Sequence, residues 1–73
     1  SQVNQNHVDK IEVILADLDA AASIEHMRRP GYRLHQLAGR WRGFFAVDIS
    51  GNWRIVFRYQ DGDAFDVDMV DYH

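Results

Sequence analysis

Hydrophobic residues in the first third of the chain recur at the spacing of an α-helix. They follow an i, i+3, i+7 pattern, and most of the remaining positions are charged or polar. The residues of this apolar stripe are Val8, Ile11, Leu15 and Leu18. The pattern predicts an amphipathic helix over residues 4–22. Ser23 is a suitable N-cap for a second, shorter helix over residues 24–29, which Pro30 and Gly31 end.

The second half of the chain has the composition of β-strands. Runs of β-branched and aromatic residues at 44–49, 53–59 and 64–70 are separated by turn residues at 50–52 and 60–63. An additional short strand is predicted within residues 33–37. The sequence therefore predicts one α+β domain over residues 1–73, in which an N-terminal helical hairpin packs on one face of a small antiparallel β-sheet.

The apolar residues also predict the register of the strands. A two-residue Asp-Gly turn would place Arg58 opposite Phe65, so the match of apolar residues favours a three-residue loop with a bulge. The predicted cross-strand pairs are Tyr59–Phe65, Arg58–Asp66, Phe57–Val67 and Ile55–Met69 in the last hairpin, and Val47–Ile55 and Phe45–Phe57 in the preceding one.

This register divides the sheet into an apolar face and a charged face. The apolar face needs the amphipathic helix as a cover, and it comprises Phe45, Val47, Ile49, Trp53, Ile55, Phe57, Tyr59, Phe65, Val67 and Met69. The charged face comprises Asp48, Arg54, Val56, Arg58, Asp66, Asp68, Val70 and Tyr72. Arg54 is predicted between Asp48 and Val70, and hence close to the last three residues.

Charge is distributed unevenly along the chain. The net charge is −3, yet residues 28–58 carry seven arginines and one aspartate, while the segments on either side are acidic. Two interpretations stay open at this point: the arginines bind phosphates, or they pair with the chain's own aspartates. The absence of cysteine excludes disulfides and cysteine-based metal sites. With no apolar run long enough to cross a bilayer and no signal peptide, we expect a cytoplasmic protein that contacts no membrane.

Five side chains near the charged face have the chemistry for RNA cleavage by the RNA's own 2′-hydroxyl. A base removes the proton of the RNA 2′-hydroxyl, an acid protonates the departing 5′-oxygen, and a cation stabilises the phosphorane charge. The candidates are His35, Arg54, Asp71, Tyr72 and His73. Each also has a structural alternative: an ion pair with Asp48 for Arg54, a surface hydrogen bond for His35, and a capping or frayed position for the terminal residues.

Four motifs resemble the HigB toxins of the RelE/ParE superfamily. They are the segments at 32–39, 51–57 and 61–67 and the terminal Asp71-Tyr72-His73. The resemblance implies a RelE-like fold and a toxin that enters the ribosomal A site and cuts mRNA there without a metal or cofactor. It also implies a HigA-like helix-turn-helix antitoxin. Carried over, His35, Arg54, Asp71, Tyr72 and His73 are catalytic, and the expected phosphate-binding arginines are Arg33, Arg40, Arg42 and Arg58.

The chain departs from the family pattern at two places. Gln36 and Ala38 replace the usual Pro and Lys of that motif, so Arg40 or Arg42 is expected to replace the lysine's charge. The chain also begins inside the family's first helix, which predicts a sheet edge left unpaired. A homodimer through that edge, support by a partner, or a longer protein are the alternatives. Alternative functions are a non-catalytic ParE-like toxin that binds gyrase, and an inactive module that only binds the antitoxin.

Overall fold

One long helix begins the part of the chain that the computed structural model describes, residues 5–71, with side chains described from His7 onward. Helix α1, Gln5–Ala20, buries Ile14 and Leu18 against the sheet and confirms the predicted amphipathic helix. Burial of each of these side chains contributes about 1.5–3 kcal/mol. No described helix is long and apolar enough to cross a membrane.

The second arm of the predicted helical hairpin is shorter than expected. It is a single 3-10 turn, Ile24–Met27, rather than an α-helix over residues 24–29. Ser23 occupies the predicted N-cap position with extended backbone, although its side chain forms no capping hydrogen bond. The turn serves mainly to bury Met27 completely beneath the sheet.

Four antiparallel strands follow, in the spatial order of the sequence: β1 (His35–Gln36), β2 (Phe45–Ser50), β3 (Trp53–Gln60) and β4 (Asp63–Asp71). A second 3-10 turn, Gly39–Trp41, connects β1 to β2. Helix α1 covers one face of the sheet, so the α+β prediction is confirmed. The core between them contains Ile14, Leu18, Met27, Val47, Ile49, Ile55 and Phe57.

The β2–β3 register is confirmed, since Phe45 lies opposite Phe57 and Val47 opposite Ile55. In the β3–β4 hairpin, the pair Ile55–Met69 is confirmed as well.

The register near the last turn was predicted wrongly. Arg58 pairs with Phe65 and Tyr59 with Ala64, across a two-residue Asp61-Gly62 turn. Both turn residues have positive φ (54° and 85°), as tight hairpin turns of this kind require. The expected bulge exists, but it lies inside β4 at Asp66, whose φ is 52°.

The displaced bulge changes the face on which one aromatic residue lies. Phe65 was predicted on the helix-covered face, but its pairing with Arg58 places it on the opposite face. Val67 and Met69 remain on the helix side, where they are 44% and 37% exposed. Among residues 5–71, β4 has a strand neighbour on one side alone.

Candidate active site

The sheet face turned away from α1 presents polar and aromatic side chains in three cross-strand rows. The first row contains Asp48, Arg54 and Val70, the second contains His35, Ala46, Val56 and Asp68, and the third contains Arg58 and Phe65. Phe44 continues the third row, because Phe45 pairs with Phe57 and the Arg58 guanidinium carbon lies 4.6 Å from the centre of the Phe44 ring.

Small apolar residues form the floor of this face. Ala46 and Val56 are fully buried, yet they belong to no part of the core beneath α1. The longer side chains of the first and third rows stand on either side of them. We call this part of the sheet face, whose first and third rows are four residues or about 14 Å apart along β3, the trough.

His35 lies at the β1 end of the middle row of the trough, and a hydrogen bond fixes its tautomer. Its Nδ1 is 2.6 Å from the carbonyl oxygen of Arg33. A carbonyl oxygen only accepts, so Nδ1 carries the proton and donates it to this bond. The other ring nitrogen, Nε2, is therefore the basic nitrogen of the neutral ring. Because the side chain is exposed, that nitrogen is accessible for proton transfer.

Asp48 lies between two arginines in the first row, at one side of the trough. Its carboxylate oxygens are 3.1 Å from Nε of Arg54 and 3.5 Å from Nε of Arg33. The Arg54 contact is an ion pair without the alignment of a hydrogen bond. Arg54 and Asp48 are largely buried, whereas the Arg33 side chain is 80% exposed and adds little. The alternative in which arginines pair with the chain's own acids is thus confirmed here, and Asp48 orients Arg54.

The segment that carries Arg33 and His35 is attached to both the helix and the sheet through Tyr32. The Tyr32 hydroxyl donates a 2.5 Å hydrogen bond to Asp17 of α1, and its carbonyl accepts from the Asp48 amide at 2.7 Å. Burial, followed by the hydrogen bond to Asp17, raises the pKa of Tyr32 to about 12. Arg33 then adopts a positive φ of 52°, which turns its carbonyl toward His35.

His35 and Arg54 therefore share one face of the sheet. They are two strands and two residues apart, which corresponds to about 12 Å between their Cα atoms. Their side chains border the same trough. Asp71 is placed differently: it pairs with Trp53, whose row lies on the helix-covered side. Tyr72 and His73, the other predicted catalytic residues, lie outside the described residues.

The arginines predicted to bind phosphate fall into two groups. Arg33 and Arg58 border the trough and each contacts an aspartate, Asp48 and Asp66 respectively, at 3.5 Å. Arg40 lies in the 3-10 turn before β2 and Arg42 directly follows it; both are exposed, and neither forms an ion pair with any described residue. They are the cations most available to an external anion.

Sequence reasoning placed Asp48 on this face and considered it as a partner of Arg54, but it overlooked two aromatic residues. Phe44 was treated as the start of a strand, and Phe65 was assigned to the wrong face. The contact of Arg58 with Phe44 follows from the correct β2–β3 register, whereas the position of Phe65 depends on the bulge at Asp66.

Comparison with known proteins identifies relatives over the full chain. The sequence model of the HigB-like toxins, described as RelE-like toxins of the type II toxin–antitoxin system HigB, matches residues 1–73. The chain is also similar to the Endoribonuclease HigB of Proteus vulgaris. The two are 37% identical over 73 residues, which is all of this chain and 79% of the relative.

Proposed function

The chain belongs to the HigB-like family of RelE-like toxins of type II toxin–antitoxin systems, and we propose that it is an endoribonuclease that cuts mRNA. The name of the Proteus vulgaris relative, Endoribonuclease HigB, supports this proposal. The observation that carries it is the common trough bordered by His35, with Nε2 accessible, and by Arg54.

The proposed reaction uses the RNA's own 2′-hydroxyl as nucleophile. A base takes the 2′-hydroxyl proton, the 2′-oxygen bonds to the adjacent phosphorus, and the bond from phosphorus to the 5′-oxygen breaks. An acid gives the departing 5′-oxygen a proton, which leaves a 2′,3′-cyclic phosphate and a 5′-hydroxyl. No metal is needed, since each proton has an imidazole as donor or acceptor.

His35 and His73 are the proposed acid–base pair, and Arg54 is the proposed cation at the phosphate. The accessible Nε2 of His35 supports its part. Arg54 has a bidentate guanidinium whose orientation Asp48 restrains, so little reorganisation is required when charge develops on the phosphate. The roles of Asp71, Tyr72 and His73 rest on the resemblance of the terminal Asp-Tyr-His to the family motif.

The proposed RNA path crosses the trough toward the 3-10 turn Gly39–Trp41. Arg40 and Arg42 would hold phosphates on that side and so replace the lysine that the family usually has at the position of Ala38. Arg33 and Arg58 would exchange part of their contact with Asp48 and Asp66 for RNA phosphates. Because both contacts are 3.5 Å long and both arginine side chains are exposed, the exchange should cost little.

The place of cleavage and the antitoxin are also part of this proposal. We propose that cutting occurs in the cytoplasm on ribosome-bound mRNA in the A site, and that a HigA-like helix-turn-helix antitoxin neutralises the toxin. The resemblance of residues 32–39, 51–57 and 61–67 to HigB toxins supports both.

Primer extension on mRNA in programmed ribosomes tests the proposal. The chain should produce new 5′ ends within the A-site codon, and His73→Ala should abolish them. His26→Ala is the matched control, because His26 lies near Asp17 of α1, away from the trough. Full cleavage by the His73→Ala variant would refute the assigned chemistry. Inhibition of DNA supercoiling by the purified chain, without mRNA cleavage, would favour the gyrase-binding alternative.

A further inference from the structure

One side of the trough, the third row, is bordered by aromatic side chains rather than by cations alone. Phe44, Arg58 and Phe65 form the third cross-strand row, and Trp41 meets Phe44 edge-on, with ring centres 5.1 Å apart at 86°. We call these four side chains the aromatic row. None of them belongs to the core beneath α1.

Phe65 is on this face because of an unfavourable backbone conformation. Asp66 has a φ of 52°, in the left-handed region that L-residues seldom adopt, and the bulge there shifts the register between Val56 and Arg58. Without the bulge, strand alternation would place Phe65 beside Val67 on the helix side. Instead it stands beside Arg58 and is 40% exposed. A strained residue that keeps an aromatic ring in solvent is a reason to look for a binding role.

Arg58 is restrained by two contacts within the row, and Gly43 leaves space beside it. Its Nε is 3.5 Å from Asp66, and its guanidinium carbon lies over the Phe44 ring. A Cβ atom at Gly43, whose φ is +93°, would be 3.6 Å from Nη1 of Arg58. The backbone around Phe44 is also fixed, since its amide donates to Trp41 and its carbonyl accepts from Leu37. The planar groups of the row are therefore preorganised.

We propose that the aromatic row is a stacking subsite for one unpaired nucleobase next to the phosphate that is cut. This inference rests on the proposed function, and it names the part of the RNA that binds at this side of the trough. Aromatic rings and arginine planes are the groups on which proteins stack single-stranded bases. The row lies two residues along β3 from the Val56 floor, about 7 Å, a distance suited to the base of a neighbouring nucleotide.

The subsite recognises the presence of a base rather than its identity. Stacking on the three rings tolerates every base, because each base has a π-face. Removing the base from one nucleotide of the RNA should therefore have the same effect as removing the ring of Phe65. The two changes together should weaken RNA binding no more than either change alone, since each eliminates the same contact.

The test uses ribosomes programmed with synthetic mRNAs whose A site is vacant and carries an abasic nucleotide at each codon position in turn. With intact mRNA, Phe65→Ala should raise KM about 5- to 150-fold, as loss of one base–aromatic stack predicts, with a smaller change in kcat. Phe65→Tyr should restore the wild-type KM. Val67→Ala is the matched control, being a similarly exposed apolar residue on the same strand but on the opposite face.

At one abasic position, the KM of the wild type should rise as much as Phe65→Ala raises it on intact mRNA. The KM of Phe65→Ala itself should rise no further at that position. Equal KM values for Phe65→Ala and Val67→Ala on intact mRNA would overturn the stacking subsite, as would additive losses at every abasic position. Either result leaves the proposed cleavage standing if the wild type cuts. Failure of the wild type to cut any of these mRNAs would instead refute the proposed function.

Discussion

Tyr32 links helix α1 to the segment that carries His35, and removal of its hydroxyl should change both the stability of the fold and the pH dependence of that stability. Tyr32→Phe deletes the hydroxyl that donates to the Asp17 carboxylate and leaves the ring, which is only 7% exposed, in place. A hydrogen bond to a charged group stabilises a protein by about 1.5–3 kcal/mol. Since Asp17 keeps its 3.3 Å contact with Arg29, we expect a loss near the lower value.

The loss should be visible in thermal unfolding at pH 7. A domain of this size loses about 4–8 °C in Tm per kcal/mol, so Tyr32→Phe should lower Tm by roughly 6–12 °C. Tyr59→Phe is the matched control: its hydroxyl donates to the neutral carbonyl of Ala21 at 2.8 Å. That bond is worth about 1 kcal/mol, so the control should lose less.

Alkaline pH gives the sharper test. The pKa of Tyr32 is raised from 10.0 to about 12 in the folded protein, so the unfolded chain loses this proton first as the pH rises. The stabilisation is complete below pH 10 and is lost as the pH approaches 12. Each pH unit in that window removes about 1.4 kcal/mol, hence roughly 2–3 kcal/mol in total.

The assay is urea unfolding of wild type and Tyr32→Phe at intervals from pH 8 to 11.5. The free energy of unfolding of the wild type should fall more steeply above pH 10 than that of the variant, so that the two curves converge. Other groups that titrate in this range affect both proteins and cancel in the difference. Parallel curves up to pH 11.5 would refute the role assigned to the Tyr32 hydroxyl.

Three further predictions concern the site, the last hairpin and the sheet edge. Asp48→Asn should slow single-turnover cleavage at least tenfold without weakening RNA binding, because Arg54 loses its orienting carboxylate while the face gains positive charge; an unchanged rate would contradict this. Gly62→Ala, at a φ of 85°, should lower Tm by about 4–8 °C, measured by circular dichroism, and an unchanged Tm would be inconsistent with the turn. If the chain self-associates through β4, the aspartates of the two paired β4 strands repel each other. Sedimentation equilibrium should then show more dimer at high salt, where this repulsion is screened, and no dimer for Val67→Lys. Salt-independent association would point to another surface.

Much of the fold could be predicted because its apolar pattern allows one arrangement. The pairs Phe45–Phe57 and Val47–Ile55 bring large apolar residues together over α1, and a one-residue slip would move them all to the opposite face. The β3–β4 hairpin was ambiguous because two signals disagreed. Its Asp61-Gly62 turn favoured a two-residue connection, whereas the apolar residues favoured another register. The structure satisfies both by placing a bulge at Asp66.

The candidate site was predictable to a similar extent. Arg54 and Asp48 could be placed from strand alternation, and His35 was singled out by its family motif. The hydrogen bond that fixes the His35 tautomer could not be predicted, because it depends on a left-handed conformation at Arg33, a residue type that rarely adopts one. The same holds for Phe65, whose face depends on a positive φ at the following residue.

The cleavage face itself is tested most directly by comparing two neighbouring residues of β1. His35 pairs with Ala46 and borders the trough, whereas Gln36 pairs with Phe45 and lies on the other side of the sheet. Single-turnover cleavage of ribosome-bound mRNA should slow by about 100-fold or more in His35→Ala and remain at the wild-type rate in Gln36→Ala, with both variants folded by circular dichroism. Equal rates for the two variants would contradict the assignment of cleavage to this face.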